Sequence, residues 1–141
     1  MKKGDDFPAL TGRTLTGEQF SFSSLKGHPF LLKLGTTWCP TCGQESAEIE
    51  TIRKFMGDNG IKFIEVFIQE GSAAVIKSFT KSGHTQPDTI ILDAGDIGKA
   101  LGVYQIPRVM MINANMKVFR DGGPLRSETL QQQLQEMLNG K

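Results

Sequence analysis

The first stretch of the chain, residues 4–29, is rich in Gly, Thr and Ser and shows little apolar periodicity. Within it Phe20-Ser21-Phe22 alternates, which predicts a short strand or hairpin arm, and Ser23-Ser24-Leu25-Lys26-Gly27 predicts a tight turn or one helical turn. Pro29-Phe30-Leu31-Leu32-Lys33-Leu34-Gly35 is a short, mostly apolar run bounded by Pro and Gly, as expected of a central strand. Beyond Pro40 the period changes. Ile49, Ile52, Phe55 and Met56 recur at helical spacing, predicting a helix near 40–56 that Gly57 and Gly60 stop. Ile61 to Ile68 predicts a second strand carrying Phe63, Ile64, Val66 and Phe67. Ser72 is expected to cap a helix bearing Val75, Ile76 and Phe79. A short strand follows at Thr89-Ile90-Ile91-Leu92, and a short helix from Asp96 to Leu101. Val109-Met110-Met111-Ile112 is the next strand, Asn113-Ala114-Asn115 a turn, Met116-Lys117-Val118-Phe119 its hairpin partner, and Asp121-Gly122-Gly123 a further turn. Ser127 is expected to cap a last helix whose Leu130, Leu134, Met137 and Leu138 form one stripe.

Strands alternating with helices define an α/β layered domain. The strand at 29–35, the helix after Pro40 and the strand at 61–68 make one β-α-β unit, whose crossover should be right-handed and whose strands should be parallel. The late hairpin adds antiparallel strands, so a central mixed β-sheet flanked by helices is expected. A length of 141 residues supports a single domain over 1–141 with a sizeable core. Charged residues at 22% and hydrophobic residues at 38% argue against disorder and coiled coil. A formal charge of +1 gives no electrostatic case for nucleic acid or an anionic membrane as partner. No apolar run approaches the roughly 18–20 residues that span a bilayer. Met1-Lys2-Lys3 resembles the basic start of a signal peptide, yet Gly4-Asp5-Asp6 follows where an apolar stretch belongs. The expectation is a cytoplasmic protein or one whose targeting segment preceded residue 1. The Gly residues form no phosphate-cradling pattern, so no cofactor is expected.

Only two cysteines are present, Cys39 and Cys42. That excludes a multiply bridged secreted scaffold and a four-cysteine zinc site. What remains is the C-x-x-C of Trp38-Cys39-Pro40-Thr41-Cys42, lying between a strand end and a helix start. Pro40 suits the first helical position, where no backbone N–H is needed. The free N–H groups of that first turn and the helix dipole favour an anion on Cys39. Cys42, three residues on, shares its helix face and can reach disulfide geometry. Cys39 is expected to be exposed and to attack first, with a more buried Cys42 resolving the mixed disulfide. Packed or metal-binding cysteines are the bland alternative, but they need neither Pro40 nor the strand–turn–helix setting.

The segment Leu31 to Cys42 resembles the active-site region of the thioredoxin-like superfamily. Asp6-Phe7-Pro8-Ala9-Leu10, Gly17-Glu18-Gln19-Phe20 and Leu25-Lys26-Gly27-His28-Pro29 resemble the lead-in of its TlpA/ResA-type branch, and Val103-Tyr104-Gln105-Ile106-Pro107 before an apolar hairpin resembles its tail. The resemblance implies a thioredoxin fold with an N-terminal β-hairpin extension and a thiol–disulfide oxidoreductase. Its partners would be cysteine-containing proteins, such as haem-attachment segments in cytochrome c maturation, and an upstream thiol reductase. It also implies a periplasmic or extracytoplasmic protein whose signal or anchor lies outside this chain; nothing in the sequence suggests oligomerisation, so a monomer is expected. Pro107 would be a cis-proline facing the cysteines, leaving the Ile106 backbone to pair with a substrate strand; an ordinary trans proline opening a strand is the alternative. Trp38 would pack beside the disulfide and, with Pro40, Thr41 and Ile106, shape the partner-binding surface, Pro40-Thr41 also tuning the potential. Glu45 matches an acidic position that influences thiol titration in that branch; alternatively it is a first-turn carboxylate complementing the helix dipole. Lys33 departs from the family, where thioredoxins carry a buried acid and the TlpA/ResA branch often Asn. It is expected to snorkel to the sheet edge, although a buried Lys33 would favour thiolates. Arg108 also departs, and is expected to be a solvated surface residue rather than a cation near the cysteines. Thr36 and Thr37 are expected to finish the strand.

Three rivals remain. A peroxiredoxin-type peroxidase shares the fold and lead-in, and Thr36 stands three before Cys39, but that family's proline would fall on Leu32 and a resolving cysteine at Cys42 is atypical. A metal-binding module would draw on Cys39, Cys42, His28 and His84, whose spacing matches no zinc pattern. A disulfide oxidase or isomerase would use the same two cysteines in the opposite direction.

Overall fold

The computed structural model describes residues 1–82 and 87–140, and for 78–82 the backbone alone; Phe79's side chain and His84 therefore lie outside what is described. Seven strands form one mixed sheet in the order β2-β1-β5-β4-β3-β6-β7: β1 Thr11–Thr14, β2 Gln19–Ser21, β3 Phe30–Gly35, β4 Lys62–Ile68, β5 Thr89–Asp93, β6 Arg108–Ile112 and β7 Val118–Gly122. The pairs β3–β4 and β4–β5 are parallel, and β3–β6, β6–β7, β1–β2 and β1–β5 are antiparallel. The β1–β2 hairpin joins the sheet through β5, pairing Arg13 with Leu92 and Thr14 with Ile91, and a turn of 3₁₀ helix at Phe22–Leu25 follows it.

Strand β3 is buried throughout because it carries a core on each face. Phe30, Leu32 and Leu34 join Phe7, Phe22, Ile64, Val66, Ile91 and Met110 on one side. Leu31 joins Ile49, Ile52, Met56, Phe63, Met111, Leu130 and Leu134 on the other, beneath α1 (Pro40–Thr51), α2 (Arg53–Asp58) and α5 (Ser127–Leu138). By alternation Lys33 and Gly35 share the face of Leu31, directly under α1. Helices α3 (Ser72–Ser82) and α4 (Asp96–Ala100) complete the described elements. Among the described residues no helix is long and apolar enough to cross a membrane.

Several boundaries differ from the sequence reading for physical reasons. The helix expected over 40–56 is broken at Ile52 (φ −108°, ψ 10°), where Thr51 Oγ1 donates back to the Ala47 carbonyl, a bond that competes with the helical ladder. Gly57 does not stop it; the chain turns at Gly60, whose φ of +68° is left-handed. Ser72 is the first residue of α3 rather than the residue before it. Ser127 is likewise the first residue of α5, after Arg126 in extended conformation. The cap of α5 comes from another element: the Ser127 N–H donates to Glu48 Oε1 at 2.7 Å and the Leu125 N–H to Glu45 Oε2 at 2.9 Å. The return strand starts at Val118 rather than Met116, which has φ +61°, and a bulge between Met111 and Ile112 takes up the shift. Asp121 and Gly122 belong to that strand and not to a turn.

Candidate active site

The loop after β3 delivers Cys39 to the N-cap of α1, with extended backbone (φ −86°, ψ 114°) and Pro40 as the first helical residue. The Cys42 N–H donates to Cys39 Sγ at 3.2 Å, so an otherwise orphaned helix N–H is directed at this sulfur. Both thiols are free. Cys39 is 9% accessible and Cys42 2%, so the expected order of exposure holds, but Cys39 is buried rather than exposed. As a cap its Sγ folds back over the first turn instead of projecting outward. Cys42 packs directly on β3: a Cβ at Gly35 would stand 2.8 Å from Cys42 Sγ, so only glycine leaves room for this thiol. Burial pushes the Cys42 thiol up to about 12, with the bond and charge of Cys39 adding to it, while the Thr36 backbone N–H and the Lys33 cation oppose it.

The register brings a proline to the same end of the sheet. Leu34 pairs with Arg108 across β3–β6, so the preceding Pro107 stands level with Gly35 and the start of α1. The Ile106–Pro107 bond is cis. Ile106 and Pro107 line a cleft of about 430 Å³ with Tyr104, Gln105 and Gly123. Trp38 is 73% and Tyr104 92% exposed. Trp38, next to Cys39 in the chain, is thus largely exposed, as are Pro40 and Thr41. Thr36 and Thr37 lie beyond the end of the strand. The Thr37 N–H donates to Glu70 at 2.6 Å and its hydroxyl to the other carboxylate oxygen, fastening the loop that carries Trp38. Arg108 is not a solvated surface residue: its guanidinium grips Asp121 of β7 through two bonds. Burial alone would push the Asp121 carboxyl up, but Arg108 holds it below the usual carboxylate range.

Behind Cys42 lies a buried polar group. Lys33 does not snorkel: it is 2% accessible, and its Nζ lies 2.8 Å from Glu65 Oε2 and 2.5 Å from Ser46 Oγ. The strand register sets Lys33 opposite Glu65 on one face. Glu45 is also buried and lies past the first turn of α1, so it is not a dipole-complementing carboxylate. Burial pushes its carboxyl above the ordinary range, against the Leu125 N–H, Lys33 and Arg120. The sequence reading missed Glu65, Glu70 and the fit of Gly35 to Cys42. The signal for Glu65 was available: each of two neighbouring apolar runs carries one central charge, of opposite sign.

Glu45→Gln tests that burial. A carboxyl raised in the folded state keeps its proton longer there than in the unfolded chain. Stability is therefore lost as pH climbs from the unfolded value, about 4.3, through the raised folded one. The Gln variant should match the parent below about pH 4 and be the more stable at pH 7, as read by urea melts. It should also shift the pH profile of thiol alkylation; an unmoved profile removes Glu45 from the thiol chemistry.

A free C-x-x-C at a strand–helix junction, level with a cis-proline in this mixed sheet, defines a thioredoxin-fold thiol–disulfide oxidoreductase. The chain matches the Redoxin family over residues 2–128 and belongs to that family. It is 26% identical over 138 residues to the thiol-disulfide oxidoreductase ResA of Bacillus thuringiensis subsp. konkukian, covering 98% of this chain and 78% of that protein. It is 29% identical over 119 residues to the thiol:disulfide interchange protein DsbE of Vibrio cholerae, covering 84% of this chain and 62% of that protein, which is under two thirds. A crystal structure of a thioredoxin-family thiol:disulfide interchange protein from Chlorobium tepidum TLS superposes with a TM-score of 0.81 at 23% identity, over 98% of this chain and 99% of that one, a likeness of fold. Among the described residues Cys39 and Cys42 join no third His, Cys, Asp or Glu in a group that could hold a metal.

Proposed function

We propose that residues 1–141 act as one thioredoxin-like domain that reduces disulfides in partner proteins. Cys39 attacks a partner disulfide, forming a Cys39–partner bond and releasing the partner's other sulfur as a thiolate, which takes up a proton. Cys42, once deprotonated, attacks Cys39 Sγ; the Cys39–Cys42 bond forms, the bond to the partner breaks, and the partner's second thiol is released. Two electrons pass to the partner, and an upstream thiol reductase restores the dithiol. Trp38, Pro40, Thr41, Ile106 and Pro107 form the docking rim, with the Ile106 backbone open to an extended partner segment. The reading follows the TlpA/ResA resemblance in placing the chain outside the cytoplasm, with haem-attachment cysteines among its substrates, and takes the chain to act as a monomer.

The observation that supports a reductant is the burial of the Cys42 thiol. Strong oxidants stabilise their reduced form, in part as a thiolate; here burial on Gly35 keeps Cys42 a neutral thiol, so its ionisation adds no such stabilisation to the dithiol. Trp38 is the single tryptophan and adjoins Cys39, so its fluorescence can report a titration against a dithiothreitol or glutathione buffer. A midpoint at or below about −230 mV is expected. A midpoint above about −150 mV would make the protein an oxidant and overturn the direction.

A further inference from the structure

We propose that Lys33 is a positioning residue for the second half of this reaction: a cation clamped by Glu65 and Ser46 that stabilises the Cys42 thiolate as it forms. The inference rests on the dithiol reading above and assigns the work of a residue which that reading leaves idle.

Placement carries the argument. Lys33 and Gly35 are successive residues on one face of β3. Gly35 lies against Cys42 Sγ, and Lys33 lies under Ser46, one helical turn beyond Cys42. Ser46 Oγ accepts from Lys33 Nζ and donates to the Cys42 carbonyl at 3.2 Å, so the ammonium is tied through one hydroxyl to the backbone of the resolving cysteine. Glu65 holds the other side of the ammonium at 2.8 Å. An ammonium this buried needs such a partner, because an unpaired buried charge costs several kcal/mol. The two charges do not stand alike toward the cysteine: Nζ is tied through Ser46 to the Cys42 backbone, Glu65 holds its other side, and the Lys33 cation lowers the Cys42 thiol.

The groups that bear on this centre come from each packed element. Helix α1 supplies Cys39, Cys42 and Glu45, with Glu48 acting on Glu45; β4 supplies Glu65; β7 supplies Arg120, which also acts on Glu45. From β6 the residue beside Lys33 is the uncharged Val109. Lys33 is therefore the cation that acts on Cys42. In the resolving step Cys42 gives its proton to a solvent base and its sulfur becomes the attacking anion. Lys33 opposes the cost of that anion in a buried place, and the charge is discharged when the Cys42–Cys39 bond forms and the partner thiolate leaves.

The test uses the full chain carrying Cys39→Ser, so that Cys42 is its only thiol, and follows iodoacetamide alkylation against pH. In that background Lys33→Gln/Glu65→Gln removes both charges while keeping hydrogen-bonding groups in place. The Cys42 midpoint should rise by about one unit, the scale of losing one nearby opposite charge. With Cys39 restored, the same pair of substitutions should slow release of a partner from the mixed disulfide about tenfold at pH 7. A folded double variant with an unmoved Cys42 midpoint overturns the proposal and leaves the ion pair purely structural. Should the double variant not fold, Ser46→Ala decides, since it unhooks Nζ from α1 and leaves the ion pair intact. An upward shift there supports the assignment, and an unchanged profile overturns it. If the unaltered protein reduces no protein disulfide, the dithiol reading falls; if it does and Cys42 ignores Lys33, this inference falls alone.

Discussion

Cys39→Ser should reduce disulfide reduction to the uncatalysed background, a loss on the order of 10³-fold or more, the scale on which removal of a covalent nucleophile is felt. Serine keeps the cap geometry, because its hydroxyl can accept the Cys42 N–H as the sulfur does at 3.2 Å. Folding should therefore be retained, and the loss is chemical. Cys42→Ser should behave differently. Cys39 remains able to attack, but nothing resolves the product, so a covalent complex with the partner accumulates and survives non-reducing electrophoresis. Each variant is assayed for turnover of a protein disulfide and for trapped partner. Equal trapping by both variants would mean that the order of attack set by the cap and by burial on Gly35 is wrong.

The contrast between the two thiols was legible from the sequence because it is local. Strand end, Pro40 and the C-x-x-C spacing place one sulfur at a helix N-terminus and the other three residues inside it, and the structure keeps that order. Pro107 was legible only through resemblance: nothing within Ile106-Pro107 states that β6 lies beside β3. Lys33 was misread because its strand is apolar on both faces. Phe30, Leu32 and Leu34 feed one core and Leu31 the other, so periodicity gives no face to which a charge must be excluded. Its partner Glu65 lies 32 residues away and becomes visible only when β3 and β4 are set in register. The capping of α5 by Glu45 and Glu48 was hidden for the same reason, since local capping rules look to the residue before the helix and not to another element. Gly35 read as a strand boundary; that it clears space for Cys42 depends on how closely α1 approaches the sheet.

The ion pair makes the other large prediction, on stability. Lys33→Met alone strands the Glu65 carboxylate in a place where it is 4% accessible, and Glu65→Leu alone strands the ammonium. Each single change should cost about 3–5 kcal/mol, a large share of the roughly 5–15 kcal/mol that holds a domain together. The combination Lys33→Met/Glu65→Leu replaces two charges by apolar groups of similar size and should be neutral or stabilising by about 1–4 kcal/mol, so the cycle is far from additive. Urea melts of the parent, the two single variants and the double variant measure it; two singles that sum to the double would show that Lys33 and Glu65 stabilise the sheet independently. A stable double variant would also show that the fold does not require this buried pair, leaving its action on the Cys42 thiolate as a reason for its presence.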